Sequence, residues 1–134
     1  MIDGATGEVV LQDGTRLGRD LTRDEFVDTS PLFKQARRGE GAEGWTSWYL
    51  ELDLQKGGRF HLCLRFNNDL LHGIELSLPW DGPPFVAEPA WKEAHDRWIQ
   101  EVLGAPPPVV KAWGRVDSFV DDRAGQCTVR VKYR

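Results

Sequence analysis

His61 and Cys63 stand two apart in a run that alternates apolar and polar residues. In a β-strand that spacing turns both side chains to one face. A neighbouring strand carrying Glu51 or Asp53 would add a carboxylate. A Cys-His-carboxylate set has the composition of a nucleophile with its base, or of half a metal site. The competing expectation is a solvated sheet face, where His, Cys, Arg and Glu are ordinary. A nucleophile needs a pocket, and an exposed meander face is not expected to form one.

His95 beside Asp96 has the residue types of an acid–base pair. Adjacent helix residues point about 100° apart, so these two do not face each other. His95 falls instead on an apolar stripe with Trp91, Trp98 and Ile99, which predicts a structural histidine. His72 is isolated. Asp117, Asp121 and Asp122 offer three carboxylates. The last two fall in an expected hairpin turn, where Asp bonds nearby backbone, and EF-hand spacing is absent. The sequence has no phosphate-binding loop, no H-E-x-x-H and no G-x-S-x-G. No cofactor, metal or catalytic residue is therefore assigned.

Surface chemistry offers more. Asp81, Glu88, Glu93, Asp96 and Glu101 lie on the polar face of an expected helix and in the loop before it, against only Lys92 and Arg97. Trp80, in the same Pro-rich loop, is the best candidate for an exposed aromatic anchor. Trp80, Asp81, Glu88, Glu93 and Asp96 are thus the expected partner-binding residues, suited to a basic protein surface. An ordinary solvated helix face is the plainer alternative. Trp113 is expected in the core.

These residues are positioned by elements that the sequence announces locally. Glu8–Leu11 and Thr15–Leu17 flank Asp13-Gly14, the signature of a tight hairpin. Thr22-Arg23-Asp24-Glu25 is a capping box, predicting a short helix from Thr22 to about Thr29. Ser30-Pro31 starts a second turn, because Pro suits the first helical position. Gly39–Gly44 reads as a loop. Three alternating runs follow, Trp48–Leu54, Arg59–Phe66 and Gly73–Leu78, joined by short polar turns. Their period of two predicts a β-meander with one buried face. Pro89 opens a longer helix, which Gly104 and Pro106-Pro107-Pro108 end. Ala112–Val120 and Gln126–Tyr133 form a closing hairpin. The expected fold class is α+β: a single antiparallel sheet, meander plus C-terminal hairpin, with helices packed on one face.

The 134 residues suit one domain, expected over 1–134, with 40% hydrophobic and 28% charged residues. A net charge of −4 argues against a nucleic-acid partner, which calls for a basic footprint. Cys63 and Cys127 are too few for a disulfide framework and are expected as reduced, half-buried thiols. The N-terminus lacks a basic and apolar leader, and no run is long enough to span a bilayer. A cytoplasmic location is expected, with no membrane partner and an oligomeric state left open.

The C-terminal third resembles a group of small bacterial proteins. The resemblance rests on Ala94-His95-Asp96-Arg97-Trp98, Leu103-Gly104, Trp113-Gly114-Arg115-Val116-Asp117-Ser118, Asp122-Arg123-Ala124-Gly125 and Val129–Arg134. Thr22–Phe26 and Ser30-Pro31-Leu32 also suit that group. Such proteins look like immunity proteins encoded beside secreted toxins. The resemblance implies a non-enzymatic protein-binding protein that neutralises a cognate toxin by occlusion. Two other readings stay open: an enzyme or ligand-binding domain using the His61/Cys63 face, and an accessory or assembly subunit using a sheet edge or the Trp80 loop.

Overall fold

The computed structural model describes residues 1–39, 41–53, 59–79, 89–121 and 125–134. The opening hairpin, β1 (Val9–Val10) and β2 (Arg16–Leu17), forms a small sheet of its own. Helix α1 (Arg23–Thr29) and a 3-10 helix (Pro31–Gln35) follow. Next come β3 (Arg37–Gly39), β4 (Trp45–Asp53), β5 (Arg59–Asn67) and β6 (Leu70–Ser77). Helix α2 (Pro89–Leu103) leads to β7 (Val109–Lys111), β8 (Gly114–Asp121) and β9 (Gln126–Tyr133). The fold class is α+β, as expected.

The large sheet has seven antiparallel strands in the order β3-β4-β5-β6-β9-β8-β7. The meander and the closing hairpin therefore meet through β6 and β9, with Ile74 opposite Val131 and Leu76 opposite Val129. The last strand of the chain sits inside the sheet. Leu62, Leu64, Phe66, Ile74, Leu76, Val116, Val129 and Val131 line one face and are nearly inaccessible to water. Phe26 of α1 and Ile99 of α2 are both fully buried in the same cluster. The two helices thus share one face, and none of the described elements covers the other.

Capping at Thr22 fits the sequence closely. Its side chain accepts a bond from Glu25 N–H, and Glu25 reaches back to the Thr22 N–H. A third contact is non-local: the Asp69 carboxylate, in the β5–β6 turn, accepts from Asp24 N–H. Phe26 meets Phe33 edge-on with centroids 5.9 Å apart, and Phe33 meets Trp48 at 5.0 Å. Such offset aromatic geometry contributes beyond the area buried.

Several boundaries differ from expectation. β4 begins at Trp45, three residues before its alternation becomes obvious, because Thr46 and Ser47 still pair with Phe66 and Arg65. Gly39, assigned to a loop, ends β3, which pairs with Ser47–Tyr49. β8 starts at Gly114 rather than Ala112, and β7 adds an unforeseen edge strand. Edge strands this short carry too few residues to show a period. The opening hairpin stands apart from the main sheet, docked by side chains. Trp113, in the core as expected, donates to the Gly4 carbonyl, and Tyr133 Oη donates to the Gly7 carbonyl at 2.8 Å. Gly7 has φ 75° and lies under the Trp113 ring, where a Cβ would collide.

Candidate functional site

The uncovered face of the sheet holds the His61/Cys63 pair. Strand register sets a row across six strands: Arg37, Tyr49, Cys63, Glu75, Arg130, Asp117. The neighbouring row runs Glu51, His61, Ser77. His61 Nδ1 stands 3.6 Å from Glu51 Oε1, so the expected carboxylate is present. Cys63, however, lies opposite Tyr49 and Glu75.

This face was expected to lack a pocket, and that expectation fails. A recess of about 740 Å³ opens here, lined by Arg37, Tyr49, His61, Cys63, Glu75 and Thr128 among others. The physical reason is side-chain length. Cys63, Ser77 and Thr128 are short and sunken, each less than 9% exposed. Tyr49 and His61 stand above them, Tyr49 being 42% exposed. The cysteines, expected half-buried, are both buried, and neither forms a disulfide.

Cys63 is not poised as a nucleophile. Burial, and next the Glu75 carboxylate, push its pKa up to about 11, against a smaller opposing pull from Arg65. Such a thiol is almost wholly protonated at neutral pH, whereas reactive cysteines are thiolates. Glu75 is itself occupied. Its Oε1 accepts from Arg65 at 3.3 Å and from Arg130 at 2.8 and 3.1 Å. Among the described residues no three His, Cys, Asp or Glu side chains group as metal ligands.

His95 and Asp96 diverge as helix geometry requires. His95 is fully buried, and its Nε2 accepts from Leu78 N–H at 3.1 Å, pinning α2 to the end of β6. Burial lowers its pKa to about 4, so the ring is neutral. Asp96 turns to Lys92, 2.9 Å away, and to the Ser118 hydroxyl. Among the expected partner-binding residues, Glu93 is exposed and Asp96 is half-buried in that internal network. Trp80, Asp81 and Glu88 lie outside the described residues, as does Asp122. Asp117 bonds Arg115 and the Ser118 N–H.

Sequence reasoning missed Arg37, Tyr49 and Arg130 as neighbours of Cys63. Alternation places Tyr49 and Arg130 on the polar sides of their own strands, but only the β6–β9 pairing brings Arg130 to Glu75. Among the described residues no helix is long and apolar enough to cross a membrane.

No family model matches the chain, and no curated protein matches it. Among solved structures, it is similar to a chain of "Rhs1-CT in complex with cognate immunity protein RhsI1". The TM-score is 0.69 at 21% identity, covering 99% of this chain and 86% of that one. In fold, over 99% of its length, this chain therefore resembles a chain of that complex.

Proposed function

We propose that this chain is a non-enzymatic immunity protein, acting in the cytoplasm, that neutralises a cognate toxin domain by binding it and occluding its working surface. One observation carries the reading. The fold likeness to the chain from the Rhs1-CT complex spans 99% of this sequence, so it takes in both helices and every strand rather than a shared submotif. An immunity protein needs a rigid scaffold and a shaped surface but no reacting group. The protonated Cys63 thiol and the internally bonded Asp96 and Glu75 fit that economy of chemistry. The acidic residues Asp81, Glu88, Glu93 and Asp96, with Trp80, are one contact surface for a basic toxin.

The test is co-expression. A candidate cognate toxin domain is induced in a susceptible bacterium with and without the chain. Restored growth, together with a one-to-one complex by titration calorimetry, supports the reading. Unrestored growth with no complex sinks it. A second reading, a small-ligand site on the His61/Cys63 face, draws on the recess itself, whose volume suits small molecules. A metabolite screen by thermal shift decides it: no stabilisation that Cys63→Leu removes, no ligand site.

A further inference from the structure

We infer that the first half of α2 is an acid-released arm: a proton on His95 frees residues 89–97 from the sheet, while the second half of the helix stays anchored. The device holds whatever the chain binds.

The two halves of α2 are held by different chemistry. Trp98, Ile99, Val102 and Leu103 pack into the core cluster, which takes nothing from α2 before Trp98 among the described residues. Residues 89–97 meet the sheet through polar groups instead. Lys92 Nζ donates to Asp96 at 2.9 Å and to the Ser118 hydroxyl of β8 at 3.1 Å, and that hydroxyl donates to Asp96. His95 Nε2 accepts from Leu78 N–H at 3.1 Å, just past the end of β6. Apolar burial does not titrate, whereas this polar seam depends on which groups carry protons.

His95 is the weak member of the seam. Because Nε2 accepts, the neutral ring carries its proton on Nδ1, which is buried and has no hydrogen-bond partner. An unpaired buried donor already costs free energy. A second proton removes the acceptor that the ring offers to Leu78, sets N–H against N–H, and puts a charge where water does not reach. Burial lowers the pKa of the ring to about 4; Asp96 pulls towards the charged form and Lys92 against it. The Trp91 ring lies 5.7 Å away, tilted by 38°. On the inner face of the sheet the neighbouring strands add the Leu78 N–H, the Ser118 hydroxyl and the buried Cys127 thiol. Once released, His95 returns towards its ordinary 6.5, so acid favours the open arm. Between pH 7.5 and 4.5 the opening constant rises about 70-fold.

The experiment is native-state hydrogen exchange on the full chain, read residue by residue by NMR and corrected for the intrinsic pH dependence of amide exchange. From pH 7.5 to 4.5 the protection of amides 93–97 should fall about 70-fold, and at pH 4.5 it should lie at least about tenfold below that of amides 99–103 and of β9. In His95→Gln, whose carboxamide oxygen can accept from Leu78 N–H without titrating, the fall should shrink to within about twofold. Equal protection across α2 and β9 at pH 4.5 makes the helix one unit and overturns the hinge. An undiminished fall in His95→Gln assigns the release to another group. Protection of amides 93–97 that ignores pH overturns the release outright. The ring-carbon shifts of His95 in the unaltered chain need no variant: a midpoint near 4 is expected, and one near 6.5 overturns the trigger.

Discussion

At the scale of single residues, burial decides which reactive groups are reactive. Cys63 and His95 look chemically promising in sequence, and both are silenced by loss of water. For Cys63 the rise to about 11 implies a thiolate fraction near neutral pH roughly a hundredfold below that of an ordinary thiol. Iodoacetamide should therefore label the folded chain far more slowly than a model thiol at the same pH, and both cysteines should react together only on unfolding. Rapid labelling of Cys63 alone would revive a nucleophilic role. For His95 the sign runs the other way. Its folded pKa, about 4, lies below the usual 6.5, so the unfolded chain binds the proton more readily between those values. The stabilising effect of its neutral form is complete above pH 6.5 and is lost as pH falls towards 4. The limit is about 3 kcal/mol for a shift of that size. Urea midpoints at pH 7.5 and 4.5 should lie closer together for His95→Gln than for the parent. An identical loss in both would assign the acid sensitivity elsewhere.

At the scale of elements, local signals and distant partners combine. Helix α1 is seven residues long, too short to stand alone. Thr22 caps it from within, and Asp69 caps it from the sheet. Thr22→Ala and Asp69→Ala should each cost about 1 kcal/mol of unfolding free energy by urea denaturation, as lost caps typically do. Because both act on one helix end, the double variant should depart from additivity. Additive losses would show that the turn and the cap act independently. The N-terminal segment depends on a different kind of contact. Gly7 has a positive φ beneath Trp113, so Gly7→Ala brings backbone strain and a ring clash together. A melting temperature within a degree of the parent would show that the hairpin docks loosely.

At the scale of the whole molecule, the large sheet is held together by β9. β9 lies between β6 and β8 and carries Val129, Val131 and Tyr133 into the core. Removing residues 126–134 would expose an interior edge on both neighbours and open the core. Such a truncated chain should lose its cooperative thermal transition and bind hydrophobic dye. A retained sharp transition would mean that the meander and α2 fold without their partner hairpin. The same pairing builds the uncovered face. It brings Arg130 alongside Glu75, joining residues 55 positions apart in one ion pair.

The amino-acid sequence by itself determined what depends on short-range rules. The capping box at Thr22, the period-two alternation of Arg59–Phe66 and the helical stripe through His95 and Ile99 each appear in the structure where local sterics and burial place them. So did the structural role of His95, because helix geometry alone separates it from Asp96. Short edge strands β3 and β7 were illegible, since three residues show no period. The recess was illegible for a deeper reason. Each strand reveals which of its side chains share a face, but not which strand lies beside it. Strand order is fixed by long-range packing of the β6–β9 interface and α2. Only that order aligns Arg37, Tyr49, Cys63, Glu75 and Arg130 in one row and turns a polar sheet face into a shaped one.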